Sequence, residues 1–169
     1  MEAHDRDVPS AALPVVGWKE LASLPEWGIT GLRVKLDTGA RTSAIHVTRF
    51  EVVGHHRLEG SESLPVARMV VPLSRSDPER TVTVTTPVVA YKSVRDTRAR
   101  SELRPVVRAR VRCGPIDRDI DVTVTDRAGM IFRMILGRQA LAGHALVDAG
   151  RAYTARARLA ADGREETRR

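Results

Sequence analysis

The stretch Leu32-Arg33-Val34-Lys35-Leu36-Asp37-Thr38-Gly39-Ala40 decides how the whole chain is read. Leu32, Val34 and Leu36 alternate with Arg33 and Lys35, the period of two that marks a strand with one buried face. The strand runs straight into Asp37-Thr38-Gly39. On its own an Asp-Thr-Gly tripeptide is an ordinary turn sequence, because Asp and Gly are both turn residues. On the end of an alternating strand it sets a carboxylate at a fixed place. It gains weight from a segment far downstream, Ile135-Leu136-Gly137-Arg138, where an apolar pair is broken by glycine. There a strand gives way to a helical turn over 138–142, ended by Gly143.

Outward from these two segments the chain reads as β. Short strands are expected at 15–18, 42–47, 68–71 (closed by Pro72), 81–86, 106–111, 120–124, 130–136 and 146–148. Many short strands with one short helix near the C-terminus predict an all-β fold, a small barrel or sandwich. Residues 1–14 read as a disordered polar lead-in, 15–153 as the single folded domain, and 154–169 as a flexible, Arg-rich tail.

Composition agrees. The chain has 169 residues, 42% of them hydrophobic and 29% charged, which excludes a wholly disordered or collagen-like chain and fits one domain. No stretch approaches the roughly 20 apolar residues of a spanning helix, so no membrane partner is expected. The start, Met1-Glu2-Ala3-His4-Asp5-Arg6-Asp7, lacks the apolar run of a secretory signal. A single cysteine, Cys113, cannot form an internal disulfide, and a cytoplasmic location is expected.

The net charge is +7, and of 28 basic residues only Lys19, Lys35 and Lys92 are lysine. Residues 91–112 hold eight cations against Asp96 and Glu102. Two readings stand side by side: an anionic partner, or a solvated basic face.

Several kinds of machinery are missing from the sequence. There is no His-Glu-x-x-His, no Cys-x-x-Cys, no phosphate-binding Gly-x-x-x-x-Gly-Lys-Ser/Thr loop and no Gly-x-Ser-x-Gly elbow. The histidines His4, His46, His55, His56 and His144 are scattered, so neither metal nor cofactor is expected. His46 reads as a packed, hydrogen-bonded histidine. Trp18 and Trp27 read as core or rim aromatics. Cys113 reads as a structural thiol, with the alternative that the neighbouring cations lower its pKa.

Five motifs in order carry a resemblance: Val16-Gly17-Trp18; Val34 to His46; Glu102-Leu103-Arg104-Pro105-Val106-Val107; Asp126-Arg127-Ala128-Gly129-Met130; and Ile135 to Leu141. The Asp-Thr-Gly loop with its distant apolar-apolar-Gly partner resembles the retropepsin-like aspartic proteases. The full set resembles the bacterial RimB-like family, which carries the label ATP-dependent zinc protease and is associated with the ribosomal-protein glutamate ligase RimK. The resemblance covers residues 15–153. It implies a closed retropepsin-like β-barrel in which the Ile-Leu-Gly segment braces the Asp-Thr-Gly loop. With neither a nucleotide loop nor a zinc triad in the sequence, the chemistry reads as aspartic. One departure is the loop Arg95-Asp96-Thr97-Arg98-Ala99-Arg100, where the family has a small Ser/Gly loop. If it is a flap, its substrate contacts differ from those of relatives.

The resemblance implies catalytic roles for Asp37, Thr38 and Gly39: acid/base, loop rigidity across a dimer axis, and close backbone approach. Two carboxylates must share one water and one proton. Asp126-Arg127-Ala128 and Asp148-Ala149-Gly150 lack the middle Thr, so the second carboxylate is expected from another copy in a homodimer. Ala40, Arg41, Arg104, Arg127 and Arg138 fall in matched motifs and are candidate substrate contacts for a peptide, an acidic or glutamate-rich one by charge. Alternatively, Arg127 and Arg138 pair with Asp126 or other carboxylates to hold the barrel shut. Two other functions are open: a non-catalytic nucleic-acid or ribosome-binding barrel, weakened by an aromatic content of only 4%, and a metallopeptidase.

Overall fold

A computed structural model describes residues 12–56, 63–95 and 101–155. The expected lead-in up to residue 11, the loop tip at 96–100 and the tail from 156 lie outside the described residues.

The strands are β1 (Val15–Gly17), β2 (Lys19–Leu24), β3 (Ile29–Leu36), β4 (Ser43–His46), β5 (Arg49–His56), β6 (Leu64–Pro72), β7 (Thr81–Arg95), β8 (Ser101–Cys113), β9 (Ile116–Thr125), β10 (Met134–Leu136) and β11 (Leu146–Asp148), with helix α1 (Arg138–Leu141) between the last two. A nine-stranded sheet runs β2-β3-β10-β4-β9-β8-β7-β6-β5, and β2 also pairs with β8 through Ser23 and Arg112. That extra pairing closes six strands into a barrel. Closure leaves the six-stranded ring itself without an open edge, and β5 is the terminal strand of the sheet that extends from it. Strands β7, β6 and β5 continue outward as an antiparallel extension. Separately, β1 and β11 pair in parallel, which joins the two ends of the domain.

Alternation builds the barrel. The expected strand 32–36 lies within β3, where Leu32, Val34 and Leu36 are buried and Arg33 and Lys35 are not. The core is formed by Leu24, Ile29, Val34, Ile45, Ile116, Met134 and Leu136, all under 2% exposed. At about 25 cal/mol per Å² of apolar surface, each such side chain is worth roughly 1.5–3 kcal/mol on burial. β2 shows the same alternation, with Glu20 at an inward position. Glu20 is fully buried, but its carboxylate accepts hydrogen bonds from the N–H groups of Gly17, Thr154 and Ala155 and from the Thr154 hydroxyl. A buried carboxylate with its lone pairs filled is tolerable where an orphaned one is not. Thr154 and Ala155, the first residues of the expected tail, are thereby tied to the barrel.

The dense apolar strand expected over 130–136 is corrected. Only Met134–Leu136 is strand, and Met130 and Ile131 are exposed. The physical reason lies just upstream. The Ala128 N–H donates to Asp126 Oδ1, and the Arg133 guanidinium donates to the carbonyls of Ala128 and Met130. Side chains thus take up backbone groups that a strand ladder would need. No helix among the described residues is long and apolar enough to cross a membrane.

Candidate active site

The site is made by strand order. β10 lies between β3 and β4, parallel to the first (Leu136 opposite Leu36) and antiparallel to the second (Met134 opposite Ile45). The loop 37–42 connects β3 to β4 and therefore arches over the end of β10. Three layers of contact fix this loop. The Asp37 N–H donates to the Leu136 carbonyl at 2.8 Å, the Arg138 N–H to the Ala40 carbonyl at 2.8 Å and the Gln139 N–H to the Arg41 carbonyl at 3.1 Å. Arg138 Nη1 donates to the carbonyls of Thr38 and Gly39 at 3.0 and 2.9 Å. The Gly137 N–H donates to Ser43 Oγ at 3.2 Å. A Cβ on Gly137 would lie 2.5 Å from the Thr42 carbonyl oxygen, so only glycine lets the brace come this close.

Asp37 sits at the end of β3 with its side chain 25% exposed. Oδ1 accepts the Gly39 N–H at 3.1 Å, and Oδ2 faces Lys35 Nζ at 3.1 Å. Lys35 is two residues upstream, so strand alternation places both side chains on one face. Burial raises the Asp37 carboxyl pKa. The hydrogen bond and charge of Lys35, then the N–H groups of Gly39 and Ala40, outweigh it and hold the group below the ordinary carboxylate range. The carboxylate is thus kept ionised and aimed.

Of the candidate substrate contacts, Ala40 and Arg41 lie in the loop itself and Arg138 touches it directly. Arg138 does so through carbonyls, and no carboxylate pairs with it among the described residues. Arg127 lies within electrostatic reach of Asp37 and Arg104. Burial, then the Arg104 charge, lowers its basicity, and Asp37 works the other way. Its Nε is buried without a hydrogen-bond partner, and no carboxylate pairs with it among the described residues. Arg104 is paired with Glu102 at 2.8 Å. Arg41 is exposed, and the contact it makes with the brace is through its backbone carbonyl. Lys35 and Ser43 were not among the candidates. Lys35 was visible as the residue two before the aspartate, and Ser43 as the first polar inward residue after the loop.

His46 is buried and packed as expected. Its Nδ1 accepts the Arg127 N–H at 2.9 Å, and burial, then the Arg133 charge, pushes its pKa down, so it is a neutral acceptor that fixes the start of the 127–133 loop. The alternative for Cys113 is corrected: burial, then the Glu20 charge, pushes its thiol up to about 12. Arg112 turns outward to Asp117. Among the described residues no three His, Cys, Asp or Glu side chains gather as a metal site, so the zinc of the family label has no donor set there.

The basic run is largely self-neutralised along its described part. Arg108 pairs with Asp121, Arg110 with Asp117 and Asp119, and Arg112 with Asp117, all across the β8–β9 ladder.

Comparison with known proteins places this geometry. The sequence profile of the RimB-like family, described as retropepsin-like aspartic endopeptidase RimB, matches residues 15–158. A probable alpha-L-glutamate ligase of Parasynechococcus marenigrum is 34% identical over 134 residues, covering 79% of this chain and 28% of the relative. A probable alpha-L-glutamate ligase of Desulfotalea psychrophila is 32% identical over 137 residues, covering 81% of this chain and 28% of the relative. The chain thus spans little more than a quarter of the length of these relatives. The crystal structure of Lpg0085, a protein of unknown function from Legionella pneumophila, superposes with a TM-score of 0.67 at 25% identity, covering 84% of this chain and 98% of that one. With its strand order, its braced Asp-Thr-Gly loop and a profile match over nearly the whole described domain, the chain belongs to the RimB-like family of retropepsin-like proteins.

Proposed function

We propose that the chain is an aspartic endopeptidase that works as a homodimer, with Asp37 of each copy facing one water. The observation that carries this reading is the part-exposed Asp37 carboxylate on a loop braced from below by Leu136, Gly137 and Arg138. Such bracing preorganises a reacting group and is more than a surface turn needs. One ionised Asp37 takes a proton from the water as it attacks the scissile carbonyl. The other, protonated because two like charges at close range cannot both ionise cheaply, donates its proton to the carbonyl oxygen. Lys35 pulls each carboxyl down and the second Asp37 pushes one of them up. The pair titrates as a unit.

Arg127, with no carboxylate partner among the described residues and in the field of Asp37, suits a substrate with acidic side chains. The name of the curated relatives, alpha-L-glutamate ligase, supports a glutamate-rich peptide. The cross-strand pairing of Arg108, Arg110 and Arg112 takes away much of the phosphate-binding surface on which a nucleic-acid reading would rest.

The test is Asp37→Asn assayed on acidic and neutral peptides, with circular dichroism as the fold control. Loss of cleavage with the fold retained is the expected result. Full activity in the variant together with inhibition by a chelator would move the reading to a metallopeptidase. Salt-dependent RNA binding without cleavage by the wild type would move it to a binding module.

A further inference from the structure

A second cluster of cations adjoins the Asp37 loop without including it, because Lys19 stands opposite Lys35 in the β2–β3 register. A half-open cleft of about 440 Å³ is lined by Lys19, Arg33, Arg75 and Arg133, with Ser74 and Ser76 on the β6–β7 turn and aromatic walls from Phe132 and Tyr153. Neither Asp37 nor Lys35 lines it, and no carboxylate does among the described residues. Its size is that of a small-ligand site.

Three features mark it as built to receive negative charge. First, none of the four cations makes an ion pair among the described residues, in a chain whose four β8 arginines are all paired. Second, Arg133 is 6% exposed, and its Nε is buried with no hydrogen-bond partner. Its Nη2 donates to the Ala128 and Met130 carbonyls, which ties one end of the guanidinium to the loop. Burial and then the charge of Arg75 lower its basicity, and the charge of Asp126 offsets this only in part. Third, the Lys19 ammonium is stacked over the rings of Trp18, at 4.9 Å, and Tyr153, at 5.4 Å, which positions a point charge at the wall.

From this we infer that the cleft binds a phosphate-type oxyanion, as free phosphate or pyrophosphate or as the phosphate group of a small phosphorylated molecule. Three guanidinium groups lining one cleft beside two serine hydroxyls match a dianion with three acceptor oxygens better than a lone carboxylate, which one guanidinium satisfies. The aromatic walls leave room for an apolar portion of the ligand.

The probes are pyrophosphate and phosphoserine, measured by calorimetry against sodium chloride at equal ionic strength. Both wild type and Asp37→Asn should bind, so failure of the peptidase reading leaves this result unaffected. Arg33 and Arg75 are exposed, so the double variant Arg33→Ala/Arg75→Ala keeps the fold; it should weaken binding about tenfold or more. The charge control Arg108→Ala, which removes a cation paired elsewhere, should bind as the wild type does. Binding of phosphoserine more tightly than pyrophosphate would assign the ligand as a phosphorylated molecule, and the reverse order as the free ion. Three results overturn the inference: no binding beyond that of chloride, binding indifferent to the double variant, or tetraglutamate bound through the same arginines as tightly as pyrophosphate, which would make the cleft a carboxylate site.

Discussion

Two aspartate loops in this chain look alike at close range and differ in everything beyond it. In the first, Asp37 Oδ1 accepts the N–H of Gly39 at 3.1 Å and Oδ2 meets Lys35. In the second, Asp148 Oδ1 accepts the N–H of Gly150 at 2.8 Å and Oδ2 meets Arg151 at 2.7 Å. A Cβ on either glycine would lie 3.3 Å from the aspartate oxygen. Both carboxyls are held below the ordinary range: Asp148 by the Gly150 N–H and then Arg151, Asp37 by Lys35 and its backbone donors against a larger cost of burial. The local turn is therefore common property. What sets Asp37 apart is the distant segment 136–139 beneath it, inserted between β3 and β4 and closed on Gly137.

The comparison can be broken by matched substitutions. The largest expected effect is on activity: Asp37→Asn should lower kcat/KM about a thousandfold or more, whereas Asp148→Asn should change it by less than about twofold. Equal losses would show that the brace confers nothing. Next comes stability. Gly137→Ala drives a methyl against the Thr42 carbonyl and should cost about 2–3 kcal/mol by denaturant titration, while Gly150→Ala meets only a movable carboxylate and should cost under about 1 kcal/mol.

These pairs also show what was legible in the sequence. The alternation at 32–36, the Asp-Thr-Gly turn and the Ile-Leu-Gly brace are local patterns, and they appear in the structure as β3, the loop and β10. β2 was hidden because Glu20 occupies an inward position, and only the bonds to Thr154 and Ala155, far along the chain, explain why a carboxylate is there. β5 was hidden because its residues are almost all exposed, so no buried face imposes a period of two. The reach of β10 was overread because Met130 and Ile131 are apolar, and the guanidinium of Arg133, which holds them in a turn, leaves no periodic trace. At the site, Lys35 was read as the polar half of a strand, and its contact with Asp37 follows from register.

A smaller effect is expected at the arginine clamp. Arg138→Ala removes two hydrogen bonds to the loop carbonyls and should cost about 1 kcal/mol with a fall in kcat at little change in KM, whereas Arg151→Ala should leave kcat unchanged. The smallest is a displacement of the pH–rate profile. Lys35 stabilises the ionised form of Asp37, so Lys35→Met should raise the carboxyl pKa and move the acid limb toward higher pH. An unmoved limb would show that Lys35 does not act on the titrating pair.

The central claim is that each Asp37 is completed by its twin, and subunit mixing tests it most directly. Wild-type protein is equilibrated with increasing Asp37→Asn protein at constant total concentration, and peptide cleavage is followed. If both carboxylates of a dimer are required, activity falls as the square of the wild-type fraction. A linear fall would mean that each chain works alone, and it would contradict the account.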